Sequence, residues 1–200
     1  MQLFLNATSP FARLARVVAI EKGLIDQVEL VGCDPWNNDP ALLTQHPQAR
    51  IPVLVTDDGQ AIAESLLVAQ YLDHIGQGRS LVPSAQISTI LARTSVAYGL
   101  MEASFNLVIA RKNDGVTVAD ASVIGQRRLA AIHRVLAQLE ATPPETVPLT
   151  FTLDSLVTAI ALDYIRFRLP QLLLDAQYPA LCHWLEAAHQ HPSLSSTRFV

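Results

Sequence analysis

Cysteine is scarce in this 200-residue chain: Cys33 and Cys182 lie far apart and in no C-x-x-C pattern. A disulfide framework is therefore not expected, and a cytosolic, reduced setting is the default reading. Charge is sparse as well, with 16% Asp, Glu, Lys and Arg and a formal net charge of -4. Nucleic-acid partners ordinarily select a basic face, which this balance does not provide. A membrane-spanning run is missing too: the most apolar stretch, LDSLVTAIALDYI, is too short for a bilayer and carries Asp154 and Asp163. The opening MQLFLNATSP lacks the basic end, apolar core and cleavage site of a secretory signal. His183, His189 and His191 gather near the end without a second ligand set, so no metal is expected. Internal repeats and low-complexity tracts are not found. What the chain has in quantity is apolar residues, 50% of the total. That supports a sizeable core, in one large domain or two small ones, and argues against disorder.

The first eighty residues alternate between strand and helix patterns. MQLFLN reads as a strand, PFARLARVVAIEKG as a helix stopped at Gly23, and QVELVGC as a second strand. PALLTQH is a short helical turn. IPVLVT and QAIA flank Asp57-Asp58-Gly59, a strong hairpin signal, and SLLVAQYLDHIG closes the unit as a helix ending at Gly76. The order βαβ, ββ, α predicts a small mixed sheet with helices packed on it.

From Ile87 onward the signals are helical. Ile87, Leu91, Thr94, Tyr98, Met101, Phe105 and Val108 mark one face of a long helix that Asn113-Asp114-Gly115 breaks. Val118, Ala121, Ile124, Leu129, Ile132, Leu136 and Leu139 mark a second, ended by Pro143-Pro144. A third, Leu153 to about Arg168, is apolar nearly all round, and residues Tyr178 to His189 supply a last. Thr152 is a good N-cap for the third, with Phe151 and Leu156 as a hydrophobic staple. Ser155 stands where a full capping box carries Glu or Gln, so that cap is expected to be partial. The domains are expected at 1–77 and 87–200, joined by a polar linker over 78–86.

Chemistry can sit at two helix starts. In NATSPFARLAR, Ser9 is placed to cap a helix and Pro10 suits its first turn. Capping alone accounts for such a serine. A helix N-terminus also offers free N–H groups and a positive dipole end, which hold anions and lower thiol pKa values. A serine hydroxyl there can donate to a bound thiolate. Glu64-Ser65 at the next helix start fits ordinary capping, or a site where the helix end takes a carboxylate and Glu64 an ammonium.

These pieces, S-P-F after the first strand, R-I-P-V-L and A-E-S, joined to an all-helical half, resemble the soluble glutathione S-transferases. TSPFARLARVVAIEKGL and QARIPVLVTDDGQAIAESLLVAQYLD carry the resemblance, which covers nearly the whole chain; LDYIRFRLP is most similar to a bacterial subgroup sometimes called YibF-like. It implies an α/β plus all-α fold: an N-terminal thioredoxin-like βαβ-ββα domain followed by a C-terminal α-helical bundle domain. It also implies a cis Ile51-Pro52 bond. Glutathione is then the co-substrate, with Ser9 at its sulfur and Val53, beside the cis-proline, pairing with the cysteinyl amide. Glu64 and Ser65 take the γ-glutamyl end, and Arg50 can approach the glycyl carboxylate.

The implied partners are glutathione, a small electrophile and a second copy of the chain, the homodimer forming through the Leu66–Gln70 helix and the first long helix. A pocket for the electrophile is expected near Phe11, Tyr98, Met101, Glu102 and Phe105, residues that serve equally as core or dimer contact. No metal, nucleic-acid or membrane partner is implied. Departures from the pattern are Ala49 for a common Gly, Asn38 for a lysine, Ser155 for an Asp in the cap, and Ser9 where thiol-transfer relatives have cysteine. Serine cannot form a mixed disulfide, so thiol–disulfide exchange is disfavoured. The alternatives are a non-catalytic glutathione-binding or interaction module of the same fold, or weak glutathione-dependent peroxidase or thiol-transfer activity.

Overall fold

The computed structural model describes residues 1–144 and 151–200. It divides into one unit of Met1–Ser80 with Ser196–Val200 and a second of Leu81–Ser195. The boundary falls inside the predicted linker, and the last five residues belong with the first unit. The reason lies in α1 (Pro10–Glu21), where the buried Arg13 gathers this tail. Its Nε donates to Thr197 Oγ1 at 3.2 Å, and its guanidinium lies 4.6 Å from the centre of the Phe199 ring.

The first unit holds a four-stranded sheet of β1 (Gln2–Leu5), β2 (Glu29–Gly32), β3 (Val53–Val55) and β4 (Ala61–Ala63), in the order β2-β1-β3-β4. β1 runs parallel to β2, and β3 is antiparallel to both β1 and β4. α1, the short α2 (Pro40–Gln45) and α3 (Ser65–Ile75) complete it, in the predicted order. α1 ends as predicted. Gly23 takes the left-handed φ of +63°, its N–H bonds Ile20 O at 3.0 Å and Leu24 N–H bonds Ala19 O at 2.8 Å, the paired closure that satisfies terminal carbonyls. In the hairpin, Gly59 at φ +81° supplies the turn, and Thr56 Oγ1 accepts from Gln60 N–H at 3.0 Å and donates to Asp58.

A buried lysine is the feature that reading the pattern missed. Lys22 is 2% exposed, pairs with Asp73 of α3 at 3.0 Å and donates to Arg79 O at 2.9 Å. Gly76 lets the end of α3 approach it: a Cβ there would lie 2.4 Å from Lys22 Cβ.

The second unit is helical: α4 (Ile87–Asp114), α5 (Val116–Ala121), α6 (Val123–Ala141), α7 (Leu153–Arg168), α8 (Pro179–Ala188) and the single turn α9 (Pro192–Ser195). α7 is its buried centre, as predicted. Three expectations are corrected. The inward stripe of α4 runs Ile90, Thr94, Ala97, Leu100, Met101, Ser104 and Leu107, while Ile87 and Leu91 are exposed. A hydrophobicity count passes over Ala97 and Ser104, whose small size suits a face packed closely on α7. The predicted second helix is two. Ser122 ends α5 by donating to Ala119 O at 2.8 Å and caps α6 by accepting from Gly125 N–H at 2.9 Å, and Val118 and Ile124 are left exposed. The cap of α7 is also fuller than expected: Ser155 Oγ accepts the Thr152 N–H at 3.0 Å, filling the reciprocal half of the box. Among the described residues, no helix is long and apolar enough to cross a membrane.

Candidate active site

The strand register decides which loops meet. Phe4 of β1 pairs with Val53 of β3, which pairs with Ala63 of β4, and Leu5 pairs with Gly32 of β2. The residues after β1, before β3, after β4 and after β2 therefore leave one end of the sheet together. These are Asn6 to Ser9, Arg50 to Pro52, Glu64-Ser65 and Cys33. All the glutathione contacts predicted from sequence fall on or beside this end.

Ser9 begins α1 in extended geometry and is 7% exposed. Its Oγ accepts from Ala12 N–H at 3.2 Å, so the capping role is real. That bond uses a lone pair and leaves the hydroxyl proton available for donation. The loop before it is shaped by Asn6, whose Oδ1 accepts from Ser9 N–H at 2.9 Å and Thr8 N–H at 3.2 Å. Sequence reading passed over Asn6, although an Asn two residues ahead of the folded-back N–H is the mark of an Asx turn. No acidic side chain lies in the first turn of α1 to neutralise its positive end.

At the second helix start, Glu64 adopts φ +68° and ψ 119°, an uncommon conformation for a residue with a Cβ. Its side chain makes no cap hydrogen bond to α3, whose first turn has no acid, and Ser65 is the buried first helical residue. The Glu64 carboxylate instead meets Arg50 Nη1 at 3.0 Å. The predicted glycyl-carboxylate contact thus lies beside the predicted ammonium contact.

The bond Ile51-Pro52 is cis, as the resemblance implied. One assignment changes. Val53 is fully buried and paired on both sides, to Phe4 and Ala63, so its main chain is committed to the ladder. Ile51, half-buried and outside the strand pairing, is the better candidate for main-chain pairing with an extended peptide. Ala49, where a Gly was noted as usual, sits at φ +49° with its methyl buried against Phe4, Leu42 and Val53. Asn38 also takes a left-handed φ, of 52°, at the end of a short turn.

Cys33, the cysteine of this unit, is half-buried at the end of β2, with Sγ 3.7 Å from Leu5 O. Burial, and then the Asp39 carboxylate, push its thiol pKa up, which disfavours a nucleophilic thiolate. Of the residues predicted to meet an electrophile, Phe11 is half-buried on α1 in the first unit. Tyr98 and Phe105 are half-buried on α4 in the second, where Glu102 is exposed and Phe105 lies 6.3 Å from the Tyr164 ring. Met101 is fully buried on the inward face of α4 and belongs to the core, which corrects its assignment to a pocket wall.

Residues 8–75, which span this sheet end, match the glutathione S-transferase N-terminal domain. The chain thus carries a glutathione S-transferase N-terminal domain over those residues. It is 26% identical over 172 residues to the uncharacterized GST-like protein YibF of Escherichia coli K12, across 84% of this chain and 83% of that protein. A crystal structure of a glutathione transferase family member from Pseudomonas fluorescens Pf-5 with bound glutathione is similar at a TM-score of 0.89, with 29% identity and 98% of both chains covered. A second structure from that organism, with bound S-(propanoic acid)-glutathione, matches at a TM-score of 0.84 and 28% identity, over 99% of this chain and 98% of that one. The fold class implied by the resemblance is the one observed: a glutathione S-transferase N-terminal domain on a four-stranded mixed sheet, followed by a helical region.

Proposed function

We propose that this chain binds glutathione at the sheet end, holds its thiol as a thiolate beside Ser9 and conjugates it to a small electrophile. The observation that carries the reading is Ser9 itself, a helix-capping hydroxyl that accepts from Ala12 and keeps its proton to donate. Lowering a thiol pKa near 8.5 by about two units needs ~2.7 kcal/mol. A hydrogen bond to a charged group contributes ~1.5–3 kcal/mol and a helix terminus ~0.3–1 kcal/mol, so no general base is required. Ile51 would pair through its main chain with the cysteinyl residue, Glu64 would take the γ-glutamyl ammonium, and the α3 start with Ser65 its carboxylate. The glutathione and S-(propanoic acid)-glutathione held by the related Pseudomonas transferase structures support a site that tolerates a substituted sulfur.

Serine at position 9 and a Cys33 thiol with a raised pKa both disfavour thiol–disulfide exchange as the main activity. The chain is also proposed to form a homodimer. Leu67 on α3, and Ile87 and Leu91 on α4, supply exposed apolar surface for it. Light scattering tests that assembly, and a monomer at working concentration would refute it.

The test of function pairs binding with turnover. Glutathione at about a hundredfold excess over its dissociation constant should stabilise the protein by ~2.7 kcal/mol through mass action. Conjugates should form in a screen of aryl halides. No rise in melting temperature at millimolar glutathione would remove the reading altogether. Binding without turnover across aryl halides, peroxides and disulfides would leave a binding module.

A further inference from the structure

The ion pair between Arg50 and Glu64 joins two side chains that were each predicted to serve the ligand. Its oxygen and nitrogen are 3.0 Å apart, and the two side chains are 64% and 48% exposed. Ligand or solvent can therefore reach both partners. The left-handed backbone at Glu64 fixes where the carboxylate leaves the chain, and that carboxylate caps nothing in α3. One carboxylate thus faces a tethered guanidinium in the free protein and, on the glutathione reading, the γ-glutamyl ammonium in the complex.

We propose that Arg50 is a built-in competitor for Glu64, so that binding exchanges one cation for another and the side chain of Arg50 lowers affinity for the ligand. This rests on the glutathione reading above. Two consequences follow from charge alone. A ligand with an ammonium at that end must displace Arg50 to gain Glu64. A ligand without one leaves the pair intact and meets a masked carboxylate, not a bare one. Arg50 therefore reduces affinity for the proper ligand while softening repulsion of an anionic analogue, and it sets how sharply the site reads the ammonium.

Calorimetric titration of the full chain separates the possibilities, using reduced glutathione and its analogue lacking the γ-glutamyl amino group, glutaryl-cysteinyl-glycine. Exposed ion pairs contribute at most ~1 kcal/mol, about fivefold in affinity. Arg50→Gln is expected to tighten glutathione by about two- to fivefold on that scale and to weaken the analogue or leave it unchanged. Arg50→Lys, which keeps a cation, should stay near the wild type for both ligands. If Arg50→Gln weakens both ligands by the same factor, Arg50 holds a ligand carboxylate and the competitor role is overturned. No change with either ligand overturns it too, because the pair would then be incidental. Failure of the wild-type chain to bind glutathione would be a different result, overturning the underlying reading and this proposal with it.

Discussion

At the start of α1 the side chain of Ser9 turns back to accept from Ala12 N–H, whereas at the start of α3 the side chain of Glu64 turns away from its helix and meets Arg50. Both starts lie at the same end of the sheet, and neither has an acid in its first turn. They present helix ends of the same polarity in different chemical forms. The α1 start is closed by a hydroxyl that accepts from Ala12 N–H and keeps one proton to donate, the single bond that the proposed thiolate would take. The Glu64 side chain does not cap the α3 start, and on the proposed reading that helix end takes the two-oxygen carboxylate. On the proposed reading, capping decides what kind of anion a helix start serves: the closed start of α1 would activate a thiol, and the start of α3, which Glu64 does not cap, would bind a carboxylate.

The sharpest way to break this division is Ser9→Ala. Loss of one hydrogen bond to a charged sulfur should lower conjugation at neutral pH by about ten- to a hundredfold, with most of the activity recovered as pH rises. Equal activity in wild type and variant across pH would dissolve the distinction. Glu64→Gln probes the other side. Steady-state binding should show glutathione weakened by about fivefold, the scale of an exposed charge pair, with the pH dependence of the reaction unmoved. Next in size is Asn6→Ala, which removes the acceptor for Ser9 and Thr8 N–H groups. Urea denaturation should register a loss of about 1–2 kcal/mol, and an unchanged midpoint would show that the Asx turn does not hold Ser9. Ala49→Gly should do least. Relief of a left-handed φ, about 1 kcal/mol, is offset by the lost methyl burial of about 0.8 kcal/mol and a more flexible unfolded chain.

The element order and the motifs of the first unit were legible because each depends on local chemistry: Gly23 and Gly59 at positive φ, Ser9 before Pro10, the Asp-Gly turn. The cis bond came from the family resemblance, not from the residues alone. What resisted reading depends on partners distant in sequence. The burial of Lys22 needs Asp73 and Arg79, and the tail 196–200 needs Arg13. Arg50 meeting Glu64 follows from the β3–β4 hairpin, which brings residues on either side of it to one end of the sheet. In the second unit the errors had another cause. The expected stripe on α4 follows mostly large side chains, with Thr94, whereas close packing against α7 also selects the small Ala97 and Ser104. Ser122, a cap between two helices, was read as part of one.

The central claim is that the thiolate forms at the closed start, through Ser9. Thiolate absorbance of bound glutathione, followed against pH in wild type, Ser9→Ala and Glu64→Gln at saturating ligand, tests it directly. The account predicts a thiol pKa about two units below the free value of about 8.5 in wild type and Glu64→Gln, and a return toward the free value in Ser9→Ala alone. An unchanged titration in Ser9→Ala, or a shift in Glu64→Gln of the same size, would contradict it.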